Sequence, residues 1–145
     1  MNNLSLLLVE DNSDDEWLAL RALKGMGITQ VTVARDGCAA VSVLRSLAMG
    51  GETPDLVLLD MKLPKMDGIE VLHTLRREQA TAGFNVVLLT SSEDPHALDT
   101  CRNLGVLACL QKPLTPESLT PVLQAILTRV GTGAETAAAQ ACAPC

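Results

Sequence analysis

The chain has 145 residues, 48% of them hydrophobic, yet Trp17 and Phe84 are its only aromatic side chains. That length fits one domain with an aliphatic core, and so few rings exclude modules that stack bases on exposed aromatic residues. A net charge of -6 has the wrong sign for wrapping a phosphate backbone, so no direct nucleic-acid partner is expected. The N-terminus carries no basic n-region, and its first apolar run is too short for a signal peptide or a membrane span. A cytoplasmic protein without membrane contact is the expectation. Five cysteines, an odd number spread along the chain, do not suggest a secreted disulfide framework, and most are expected to be buried, reduced thiols.

The first strand is expected at Leu6 to Val9, a continuous apolar run that stops at Glu10-Asp11. Ser13-Asp14-Asp15-Glu16 then reads as a capping box opening a helix that ends at Gly25 and Gly27. Trp17 on that helix is expected to be partly buried packing. A weaker strand at Val31 to Ala34 precedes a second helix from Asp36-Gly37 to about Ala48. Leu56 to Leu59 form a third strand closed by Asp60, and Asp67-Gly68 opens a third helix with Ile69, Leu72 and Leu75 at spacing three. There Gly68 is expected to supply backbone freedom and Asp67 to cap the helix. The fourth strand, Val86 to Leu89, is closed by Thr90-Ser91, and a short fourth helix follows Asp94-Pro95. Val106 to Leu110 is the fifth strand and runs into Lys112-Pro113. Thr115 as N-cap and Pro116 at the first position start a last helix, whose stripe is Leu119, Val122, Leu123, Ile126, Leu127 and Val130. Residues 131–145 lack periodicity and read as a flexible tail, leaving residues 1–130 as the single domain.

Unbroken apolar runs of strand length indicate strands buried on both faces. Their alternation with five helices predicts an α/β fold with a doubly wound, five-stranded parallel sheet. Ligands in such sheets bind beyond the carboxyl ends of the strands. Three carboxylates (Glu10, Asp11, Asp60), the Thr90 hydroxyl and the Lys112 ammonium should therefore meet at one edge. Crowded carboxylates raise a pKa or hold a cation, and an all-oxygen donor set suits Mg²⁺. With Lys112 to offset charge on phosphoryl oxygens, Asp60 is placed as a nucleophile for phosphoryl transfer.

Val9-Glu10-Asp11-Asn12, the segment Leu58 to Gly68, Leu89-Thr90-Ser91-Ser92 and Gln111-Lys112-Pro113 together resemble the motifs of the receiver domain of two-component response regulators. The resemblance covers roughly residues 4 to 130. It implies the flavodoxin-like strand order 2-1-3-4-5. It also implies that Asp60 accepts a phosphoryl group from a phosphohistidine on a sensor histidine kinase, and that Glu10, Asp11, Asp60 and the backbone carbonyl of Lys62 hold Mg²⁺. Thr90 and Lys112 would each pair with a phosphoryl oxygen, while the Lys62 and Ser92 side chains would tune hydrolysis. Such a protein is a switch that catalyses its own phosphorylation and dephosphorylation, and not a turnover enzyme. The opening motif and the segment before Phe84 are similar to the small stand-alone receivers that partner bacterial phytochromes. With no effector domain following, output through a partner or a homodimer is expected, the dimer forming across the fourth helix, fifth strand and last helix.

One departure stands out. Three residues before Lys112 this family places a Tyr or Phe that swings inward on phosphorylation, and here the switch position is Cys109. Either readout proceeds without an aromatic rotamer switch, or a bulky neighbour such as Leu107 or Leu110 takes its place. Cys142-Ala143-Pro144-Cys145 has CxxC spacing but no strand-to-helix context for a redox motif, and His73 and His96 lack a second ligand at metal spacing. A haloacid-dehalogenase-like phosphatase would need an Asp where Lys62 stands. A flavodoxin-like cofactor binder would need a phosphate loop and aromatic flankers. The remaining alternative is a pseudo-receiver, an interaction module that keeps the fold without phosphorylation.

Overall fold

The computed structural model describes residues 4–90, 99 and 103–131. The chain order is β1 (Ser5–Val9), α1 (Ser13–Gly25), β2 (Gln30–Ala34), α2 (Gly37–Met49), β3 (Leu56–Asp60), α3 (Gly68–Arg77), β4 (Val86–Thr90), β5 (Ala108–Gln111) and α4 (Pro116–Gly131). All pairings are parallel, and the strand order is β2-β1-β3-β4-β5. The fold is therefore the expected doubly wound one. Of the helix expected after Asp94-Pro95, Asp99 and Asn103 are described and helical, and the rest lies outside the described residues, as do Ser92, His96, Cys101 and the Cys142/Cys145 tail. No helix among the described residues is long and apolar enough to cross a membrane.

Side chains alternate across a strand, so each apolar run feeds two cores. Leu6 and Leu8, Leu56 and Leu58, Val87 and Leu89 face α1 and α4. Leu7 and Val9, Val57 and Leu59, Val86 and Leu88 face α2 and α3. β3 is buried throughout because it has a strand on each side and helices on both faces, whereas β2, at the margin, is largely half-exposed.

Local chemistry sets the helix ends, with some corrections. Asn12, not Ser13, caps α1: its side chain accepts from the amides of Asp14 and Asp15. The capping box occurs instead at α3, where Asp67 Oδ1 accepts from Glu70 N at 2.9 Å and Glu70 Oε1 from Asp67 N at 3.1 Å. Thr115 caps α4 as expected, through Ser118 N at 3.1 Å. Along α4 the stripe buries Leu119, Val122, Leu123 and Ile126, but Leu127 is 40% exposed at its margin. The Arg76 guanidinium ties α3 to two loops by donating to the carbonyls of Ala82, Phe84, Leu104 and Gly105 at 2.7 to 3.2 Å.

Trp17 is 58% exposed, against the expectation of partial burial. The buried residues of α1 are Ala19 and Leu23, and Trp17 sits about 200° around the helix from Ala19. Its ring is instead covered by Arg21, 5.2 Å from the centroid. Cys38 is likewise exposed, not buried, because α2 turns Gly37, Ala40, Val41 and Leu44 inward.

Candidate functional site

All five parallel strands run toward one edge of the sheet, and β1, β3, β4 and β5 deliver the site residues there. Glu10 follows directly on Val9 and is locked there by its amide, which donates to Ala34 O at 2.9 Å. Asp60 is the last residue of β3, in register with Leu89 of β4. Thr90 lies one residue beyond that partner on the neighbouring strand. Lys112 follows β5, its amide bonded to Thr90 O at 2.8 Å, and a cis peptide joins it to Pro113. Parallel register thus delivers residues separated by up to 102 positions to one spot.

Carboxylate oxygens of Glu10, Asp11 and Asp60 lie within 4.8 Å of one another. Glu10 and Asp60 are buried, at 1% and 4% exposure, while Asp11 faces solvent. Two sealed carboxylates and one open one form a site with a floor and an entrance. Hard oxygen donors at this spacing fit a divalent cation such as Mg²⁺. Without one, burial and the neighbouring Asp60 push the Glu10 carboxyl up to about 7, against the pull of Lys112.

Lys112 Nζ is the counterweight. It lies 2.9 Å from Asp60 Oδ2, 3.0 Å from Glu10 Oε1 and 3.0 Å from Asp15 Oδ2. Burial opposes its charge, yet the hydrogen bonds it donates to Asp60, Asp15 and Glu10 hold its pKa above the ordinary lysine value. The third partner, Asp15, was legible in sequence only as a first-turn acid of α1. Its place in the first turn of a helix that starts directly after the strand end at Glu10-Asp11 is the signal that could have placed it beside the site.

The loop after β3 is shaped around Asp60. Lys62 N donates to Asp60 Oδ1 at 3.1 Å, and Gly68 N donates to Met61 O at 2.9 Å. Gly68 does not have a positive φ. A Cβ there would overlap the Asp60 carbonyl oxygen, so the glycine is needed for close approach and not for the backbone freedom expected of it. The Lys62 side chain is exposed.

Cys109 is half-buried on the α2/α3 face of the sheet. Leu107 and Leu110 pack against the opposite core. Neither packs in the core that Cys109 faces. His73 is exposed on α3.

A family model described as the response regulator receiver domain matches residues 6–124. One relative, the probable methanogenesis regulatory protein FilR2 of Methanothrix harundinacea (strain 6Ac), is 39% identical over 123 residues, 83% of this chain and 79% of its own. Among solved structures, the bacteriophytochrome response regulator AtBRR is similar with a TM-score of 0.75 and 38% identity, over 85% of this chain and 91% of its own. The Mn²⁺-bound form of response regulator Rcp1 matches with a TM-score of 0.68 and 32% identity, over 86% and 92% of the two chains. Sheet order, the acidic edge with its lysine, and a family match spanning both cores agree: the chain belongs to the response regulator receiver domain family.

Proposed function

We propose that this chain is a phosphoryl-accepting signalling switch whose acceptor is Asp60. The observation that carries the reading is the position of its carboxylate, buried at the sheet edge between Glu10, Asp11 and the ammonium of Lys112. An Asp60 oxygen attacks the phosphorus of a phosphohistidine on a sensor histidine kinase. The O–P bond forms, the N–P bond breaks, and the electron pair returns to the imidazole. Glu10, Asp11, Asp60 and the backbone carbonyl of Lys62 would hold Mg²⁺, which when bound offsets charge on the phosphoryl oxygens. Lys112 pairs with one of those oxygens and the Thr90 hydroxyl donates to another after transfer. With Cys109 at the switch position, the phosphorylated state is read through Thr90 and the loop after it, without an aromatic rotamer. The chain acts as a self-modifying switch and not as a turnover enzyme.

The functional unit is residues 1–130, working in the cytoplasm without direct contact with nucleic acid or membrane. Likeness to a bacteriophytochrome response regulator supports a bacterial phytochrome as the kinase. Output passes through a partner or a homodimer across the β5/α4 face and the segment before it. Sedimentation with and without beryllofluoride tests the dimer, and a monomer under both conditions removes it.

The central test is intact mass after incubation with Mg²⁺ and acetyl phosphate. Wild type should gain one base-labile phosphoryl group and Asp60→Asn none. An unmodified wild type would favour the pseudo-receiver instead, and equal modification of both would reassign the acceptor.

A further inference from the structure

We propose that Asp15 is a positioning residue for Lys112: it supplies the counter-ion that holds the ammonium when a metal ion takes Glu10 and Asp60. The inference rests on the reading of Glu10, Asp11 and Asp60 as the cation ligands.

Lys112 Nζ has three donors and meets three carboxylates, from Glu10, Asp15 and Asp60, all at 2.9 to 3.0 Å. Two of the three belong to the acidic cluster, and Asp15 does not. A cation in that cluster and the lysine therefore compete for the same two carboxylates. The lysine side chain is only 14% exposed, so losing both partners would leave a largely desolvated charge uncompensated. Asp15 prevents that. It stands outside the cluster on α1, its side chain 34% exposed, and its backbone is fixed by the Asn12 cap at 3.0 Å.

An acid in the first turn of a helix has an ordinary reason to be there, since the helix dipole favours it. Asp14 and Glu16 have the same reason. Asp14 is exposed, and Glu16 pairs with Arg35. What separates Asp15 is its contact with Lys112, across 97 residues of sequence. Removing it should leave the lysine bound to Glu10 and Asp60 alone and make it a stronger competitor of the metal.

The test is calorimetric Mg²⁺ affinity of the full chain at physiological salt, where distant charge effects are screened. The proteins are wild type, Asp15→Asn, Asp14→Asn, Lys112→Met and both Asn variants in the Lys112→Met background. Asp15→Asn should weaken Mg²⁺ binding several-fold more than Asp14→Asn. In the Lys112→Met background that difference should vanish, because no ammonium is left to compete. Equal penalties for Asp15→Asn and Asp14→Asn in the wild-type background overturn the proposal by themselves, whether or not Lys112→Met folds. An Asp15→Asn penalty unchanged by Lys112→Met overturns it too. No saturable Mg²⁺ binding by wild type overturns the metal site and this role together, which distinguishes that failure from the loss of Asp15's role alone.

Discussion

Glu10 is a carboxyl almost sealed from water beside a second carboxylate, and burial pushes its pKa up to about 7 from an ordinary 4.5. Between those two values the folded chain keeps a proton that the unfolded chain has lost. Metal-free stability should therefore fall as pH rises through that window, by at most about 1.4 kcal/mol per pH unit for one proton. A cation needs Glu10 ionised, so Mg²⁺ should raise Tm more at pH 8 than at pH 6. Thermal melts in EDTA and in Mg²⁺ at both pH values check this, and Glu10→Gln should flatten the metal-free trend. An Mg²⁺ shift independent of pH would contradict it. Glu10, Asp60 and Lys112 were legible in sequence because each stands at or just beyond the end of an apolar run. The exposure of Trp17 and Cys38 was not, because it depends on which side of a helix faces the sheet.

The turn between β3 and α3 is where an element, more than a single group, shapes the site. Gly68 lies so close to the Asp60 carbonyl that an added Cβ would overlap backbone, which no rotamer change relieves. Gly68→Ala should cost about 1 to 3 kcal/mol by urea denaturation and slow Asp60 phosphorylation, since relief must move the end of β3. Retention of both stability and rate would show that the loop yields freely. Gly37 makes a matching close approach to the Met66 carbonyl, so the turn is pressed between β3 and the start of α2. Asp67-Gly68 announces a helix start in sequence, but the tight approach behind it depends on a strand and a helix meeting in space. In β5 the alternation of side chains separates Cys109 from Leu110, while Leu107, just before the strand, packs with the same core as Leu110.

Over the whole molecule, one sheet serves two cores. Leu44 on α2 and Leu123 on α4 are buried on opposite sides of it. Truncation of either to Ala should cost about 2 to 5 kcal/mol. Because they share no neighbours, the two losses should add within about 0.5 kcal/mol. Because β1, β3 and β4 contribute to both cores, unfolding should remain one cooperative transition. Urea melts of the single and double variants followed by two probes test both statements; non-coincident curves would mean that the layers unfold separately.

The sequence by itself determined the fold class and most of the acidic edge. Unbroken aliphatic runs can be satisfied only by strands covered on both faces, and parallel strands all deliver their closing residues to the same edge. The family motifs then marked the chain as a receiver domain. Tertiary structure alone decided the rest. Asp15 joined the site because α1 packs its first turn beside Lys112. Gly68 proved to be a matter of space because β3 runs against the start of α3. Trp17 stayed outside because α1 buries a different side. Each of these depends on the angle at which one element meets another, which is set by packing between residues far apart in the chain.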